Sequence, residues 1–268
     1  MDDIQKLIEQ LRSQDPIARN NAMNVLGNIG RPAVPHLVTA LQSPDVEMRR
    51  DALYALSRIR DFNSAPFVLK MLKDKDASIR EIAAKLLGEL QYEWGLPELA
   101  QAFRDKDFRV RAGATYGMAK IGKPALPYFI EAAKDENVNV RRNAMWCIRD
   151  EEDVSTLPTV IPAFQDADES VREAAMQAIE YLVKSSKKSS ELDLIEKGIN
   201  GLFKRTGSKK KSKKLEQKIR LRLIKAKNDI AIKRNEIAED KGVMLDDLPK
   251  PPGRRGGMYR RSGKVRNR

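Results

Sequence analysis

The chain has 268 residues and a net charge of +13, divided unevenly: residues 1–183 carry 24 basic and 28 acidic side chains, and residues 184–268 carry 27 and 10. One cysteine, Cys147, rules out an intramolecular disulfide, and one histidine, His36, rules out a two-histidine metal site. No apolar run approaches the ~20 residues a membrane-spanning helix needs, and a start at Met-Asp-Asp on an amphipathic stretch reads unlike a signal peptide, so a cytoplasmic protein is expected.

Residues 1–183 are organised by six arginines, Arg19, Arg49, Arg80, Arg111, Arg141 and Arg172, at steps of 30, 31, 31, 30 and 31 residues. Regular spacing of this kind marks a repeat protein. Four residues before each arginine stand Asp15, Asp45, Asp76, Asp107, Asn137 and Asp168. Three after each stand Ala22, Ala52, Ala83, Ala114, Ala144 and Ala175, and seven after stand Leu26, Leu56, Leu87, Met118, Ile148 and Ile179. Each unit therefore reads as two antiparallel helices. First helices are expected near 2–12, 32–42, 62–73, 94–104, 124–134 and 157–165, and second helices near 16–29, 46–59, 77–90, 108–121, 138–149 and 169–183. The apolar positions of each second helix form one stripe at helical period, enough to bury one face. The aspartate column falls where the second helix begins, where a carboxylate can accept from the orphan N–H groups of the first turn.

Residues 184–206 open with a Lys- and Ser-rich hinge and continue as a helix with Leu192, Ile195, Ile199, Leu202 and Phe203 on one face, a cap for the open end of the array. Residues 207–248 hold a basic linker and an amphipathic helix over about 213–241. Residues 249–268 form a Gly- and Arg-rich tail that cannot bury enough apolar surface to order itself. Nucleic acid, with RNA favoured, is the expected partner of this basic part, through Lys209, Lys210, Lys211, Lys213, Lys214, Lys218, Arg220, Arg222, Lys225, Lys227, Arg254, Arg255, Arg260 and Arg261 on phosphates and Tyr259 as a stacking ring. A basic helix docked on a neighbour is the plainer alternative.

The motifs Ile-Gly-Arg-Pro-Ala-Val-Pro at 29–35 and Ile-Gly-Lys-Pro-Ala-Leu-Pro at 121–127, each followed by an apolar helix and then Asp-x-x-x-Arg or its Asn variant, resemble HEAT repeats of the short kind found in bilin lyases, the PBS-lyase HEAT-like repeats. The resemblance covers about two thirds of the chain. It implies an all-α, right-handed α-solenoid of six HEAT-like helix pairs with a C-terminal basic helix and tail, second helices lining the concave side, and the Asp and Arg columns bonded between repeats as a ladder. The position five after each arginine then places Tyr54, Tyr116 and Trp146 on the concave face, with Arg50, Arg142 and Arg149 beside them. Tyr, Trp and Arg dominate binding hot spots, so a protein partner is expected there.

No catalytic residue, cofactor or metal site is expected: His36 stands alone, Cys147 lies on a mostly apolar helix, and no strand precedes a phosphate-binding glycine loop. The leading reading is a non-enzymatic adaptor that binds protein on the concave face and nucleic acid, plausibly ribosomal RNA, through the appendage. A bilin-lyase-like or phycobilisome-associated factor is the alternative suggested by the repeat subtype. A HEAT-like DNA glycosylase is a third, opposed by the net −4 of the array.

Overall fold

A computed structural model describes residues 3–206 and 213–240. Among them are fourteen α-helices and no strand. First helices α1 (Asp3–Gln10), α3 (Val34–Ala40), α5 (Ala65–Lys70), α7 (Leu96–Ala102), α9 (Leu126–Ala132) and α11 (Leu157–Ala163) alternate with second helices α2 (Pro16–Ile29), α4 (Val46–Ile59), α6 (Ala77–Glu89), α8 (Phe108–Ile121), α10 (Val138–Asp150) and α12 (Glu169–Ser185). Helices α13 (Ser189–Thr206) and α14 (Lys213–Asp240) follow. The protein is an all-α solenoid in which each helix pair stacks on the one before.

The first helices are shorter than their sequence periods suggest, because each from α3 to α11 is entered through a tight 3-10 turn. A second column, Pro35, Pro66, Pro97, Pro127 and Pro158, sits in the first turn of these helices, where the missing N–H costs nothing. Second helices begin where the aspartates stand. Asp15, Asp45, Asp76, Asp107, Asn137 and Asp168 each accept from the backbone N–H two residues on, at 2.8–3.0 Å. The column alanines are fully buried, and so are the apolar residues four positions later, which form the seam between the two helix rows.

The inter-repeat ladder is present, but its acid is not the column aspartate. Those carboxylates are turned into their own helix starts. The rungs use the aspartate two residues earlier: Arg49 to Asp74, Arg80 to Asp105 and Arg141 to Asp166, each as a two-pronged pair at 2.8–3.0 Å. The remaining prong of every column arginine folds back onto a carbonyl of its own loop, six residues upstream. Burial pushes the Asp105 and Asp166 carboxyls up, but the guanidiniums of Arg80 and Arg141 and nearby backbone N–H groups outweigh it and leave both below the usual range. In the first repeats the rung position is Ser13 or Ser43, so Arg19 turns instead to Asp51 at 3.3 Å and Glu47 at 3.6 Å.

The second-helix row packs more closely than the first-helix row, so the stack bends toward the second helices. Its tightest point is α6 against α8. A Cβ on Gly117 would lie 2.2 Å from the Ala84 carbonyl oxygen, and one on Gly88 would lie 2.4 Å from the Gly117 Cα. Between α8 and α10 the row opens and the two helices meet only sparsely. Arg111, which should form the rung there, makes no ion pair among the described residues, and Asp135 is held by Arg104 at 2.7 Å instead.

Helices α13 and α14 are integrated with the array. Helix α13 packs on α11 and α14 packs on α12 and α13, as a seventh pair would. Gly198 lets α13 settle on Ile161, whose side chain a Cβ would meet at 2.9 Å. The α14 stripe buries Ala226, Ile230 and Ile237, while Lys225 reaches Glu180 at 3.3 Å and Arg234 reaches Glu196 at 2.9 Å.

Candidate functional site

The inner row displays a series of aromatic residues. Tyr54 on α4, Tyr116 on α8 and Trp146 on α10 are 40–43 % exposed, as the helix phase requires. Their settings differ. Around Tyr54, Arg50 is neutralised by Glu47 at 2.9 Å and Lys85 by Glu81 at 2.6 Å, along a shallow groove of about 180 Å³. From α8 onward each ring carries a cation. The Lys120 ammonium lies 5.5 Å from the Tyr116 ring centre, the Arg142 guanidinium 5.1 Å from Trp146, and Arg149 5.1 Å from Tyr181. Such stacking is worth about 0.5–1 kcal/mol at exposed sites and fixes the orientation of each charge. Arg149 is also tied to Asp150 at 2.7 Å and to the Gln177 side-chain oxygen at 3.2 Å. Arg142 donates to the neutral Asn139 side chain at 3.0 Å, and its Nε is buried without a hydrogen-bond partner. Tyr116 and Trp146 stand at equivalent positions on neighbouring helices that meet only sparsely.

Tyr181 was not signalled by the five-after-arginine position, since it stands nine after Arg172. A second aromatic cluster also escaped that pattern. Phe62, Tyr92 and Trp94, in or beside the 3-10 turns before α5 and α7, lie with ring centres 5.5–6.1 Å apart, and Trp94 is 73 % exposed.

Of the residues expected to meet nucleic acid, Lys225 is exposed and paired with Glu180, and Lys227 is half-buried. Lys213, Lys214, Lys218, Arg220 and Arg222 fall within α14. Lys209, Lys210, Lys211, Arg254, Arg255, Tyr259, Arg260 and Arg261 lie outside the described residues.

Burial drives the Cys147 thiol up to about 12, far from the thiolate a nucleophile needs. His36 is half-buried with an unpartnered Nδ1. No group of three or more metal-ligating side chains occurs among the described residues, and no helix among them is long and apolar enough to cross a membrane.

A family model described as HEAT repeats matches residues 4–88, 65–144 and 96–180. An uncharacterized phycocyanin operon protein Z of Pseudanabaena tenuis is 28 % identical over 192 residues, 67 % of this chain and 95 % of that protein. Among solved structures, an archaeal HEAT-like repeats protein from Thermococcus onnurineus superposes with a TM-score of 0.53 at 15 % identity, covering 86 % of this chain and 97 % of its own. The CpcE–CpcF complex of phycocyanin lyase from Nostoc matches with a TM-score of 0.47 at 22 % identity, over 54 % of this chain and 96 % of the matched one.

Proposed function

Because the chain belongs to the HEAT-repeat family, we propose that it is a non-enzymatic adaptor, gripping a protein on the concave face from α8 to α12 and holding nucleic acid, RNA in preference, through its basic C-terminal segment. The observation that carries the first half is the set of cation-capped aromatics at Tyr116, Trp146 and Tyr181 along the second-helix row. Partly exposed Tyr, Trp and Arg on a rigid framework are the composition of a binding hot spot. The full chain carrying Trp146→Ala and Arg142→Ala should stay folded and lose its partner in a pull-down, with the partner identified by mass spectrometry. Undiminished recovery would reduce the cluster to surface packing.

The second half rests on charge. Residues 184–268 hold a net of +17 beside an array of −4. Part of that charge is spent internally, since Lys225 and Arg234 anchor α14 to acids of α12 and α13. Cutting the chain before α14 would therefore strip a packed face, and charge substitution is the cleaner experiment. Glutamine at Lys209, Lys210, Lys211, Arg254, Arg255, Arg260 and Arg261 should weaken binding to structured RNA and flatten its salt dependence, because fewer counterions are released. Equal affinity and equal salt slope would refute the assignment.

The phycocyanin-operon relative, aligned over 95 % of its length, favours a second reading, a bilin-handling factor. A shift in the absorption spectrum of a free bilin on mixing with the protein would support it.

A further inference from the structure

Resting on the reading of the concave face as a protein-binding surface, we propose that its α8–α10 segment is a receptor for an acidic linear peptide segment of the partner. The array is acidic as a whole, yet these two helices are a cationic island. Helix α8 holds Arg109, Arg111 and Lys120 and no acid, and α10 holds Arg141, Arg142 and Arg149 against Asp150 alone. On one side Arg50 of α4 and Lys85 of α6 are paired with Glu47 and Glu81, and Arg58 bonds the Asn28 side chain. On the other, α12 carries Glu169, Glu173 and Glu180.

Within the island most cations are committed. Arg109 is bound to Asp107, Arg141 to Asp166, Arg111 to its own loop and Arg149 to Asp150. Lys120 and Arg142 have no carboxylate within ion-pair distance among the described residues, and each is steadied over an aromatic ring. Both stand on the second-helix row, on neighbouring helices. The guanidinium of Arg142 offers a fork that matches a carboxylate, and charge-assisted bonds of that kind are the strong ones. Exposed parts of Tyr116 and Trp146 supply apolar surface for a neighbouring side chain.

Nucleic acid fits this island poorly. Bases bind such surfaces by stacking on free ring faces, and here Lys120 and Arg142 already cover the rings. A phosphate backbone also needs a long cationic track, and this island spans two helices.

The test uses the full chain and two fluorescein-labelled peptides, one rich in Glu and Asp around a central Tyr, the other with Lys and Arg in place of the acids. Anisotropy should show binding of the acidic peptide only. Lys120→Gln with Arg142→Gln should cost roughly tenfold or more in affinity, the worth of one to two charge-assisted bonds. Arg142→Lys, which keeps charge and loses the fork, should fall between. Lys6→Gln, an exposed cation on α1, should leave affinity unchanged. Equal binding of both peptides, indifference to the Lys120 and Arg142 changes, or an equal loss on altering Lys6 would each overturn the proposal. If Trp146→Ala with Arg142→Ala abolishes partner capture while the acidic peptide shows no site-dependent binding, the protein-binding surface stands and its acidic specificity falls.

Discussion

Two neighbouring junctions of the same solenoid are built in opposite ways. Between α6 and α8 the backbones touch, because Gly88, Gly113 and Gly117 remove the side chains that would keep them apart, and Arg80 with Asp105 pins the loops beside them. Between α8 and α10 there is no such glycine seam, the helices part and the Arg111 rung is missing. One period of sequence thus yields either a clamped or an open joint, according to a few residues outside the repeat columns. The two helices of the open joint carry Tyr116 and Trp146, each partly exposed beside a cation, between rigid repeats on either side.

The largest effect should come from the rungs. Arg80 is 8 % exposed and its loss strands Asp105, so Arg80→Ala should destabilise by about 3 kcal/mol, in the range for breaking a buried pair. Arg111→Ala removes only bonds to its own loop and should cost about 1 kcal/mol. Chemical denaturation of both variants checks this, and equal losses would mean that the joint between α8 and α10 is clamped after all.

The glycine seam should come next. Gly117→Ala gains up to ~1 kcal/mol of helix propensity, yet its Cβ must displace the Ala84 carbonyl. We expect a net loss of about 1–2 kcal/mol, the usual cost of overpacking. Gly201→Ala, on α13 with nothing within 4 Å of the new Cβ, should instead stabilise by up to ~1 kcal/mol. If both variants gain stability, α6 and α8 are free to move apart and the contrast between the joints collapses.

Much of this architecture was legible in the spacing of six arginines, because a side chain that must repeat its contact in every unit repeats in sequence. Period fixed which residues share a face, and therefore found Tyr54, Tyr116 and Trp146. It could not say which way a carboxylate turns. Asp76 and Asp74 both lie near Arg80's loop, and only the geometry assigns the first to the helix start and the second to Arg49. The register was nonetheless present as a second column, Ser13, Ser43, Asp74, Asp105, Asp135 and Asp166. The departure of α10 from α8 was not legible, since their columns look alike. The docking of α14 was legible only as the plainer alternative, because its basic composition advertises a polyanion while its stripe and two of its cations serve α12 and α13. Phe62 and Trp94 occupy turn positions where other repeats hold unlike residues, so no column pointed to them.

The smallest effect concerns acid. Asp105 and Asp166 have carboxyls held below their ordinary range once the guanidiniums have outweighed burial. A carboxylate depressed in the folded state contributes stability that is complete above its unfolded pKa, about 3.9, and is lost as pH falls through the folded value. Asp51 and Glu151 act in the opposite sense. Burial raises both, so the folded chain takes up their protons first and gains stability as they do. The melting temperature should therefore change little from pH 7 to 5 and fall below about pH 4, where the rungs begin to protonate. Asp105→Asn with Asp166→Asn should melt lower at neutral pH but lose less on acidification, because two of the groups that bind protons on unfolding are gone. Asp135, paired with Arg104 beside the open joint, titrates in either chain. An identical acid slope in the two proteins would place the acid sensitivity in other carboxylates, such as the helix-capping Asp76 and Asp168, and would remove the clamped rungs as its source.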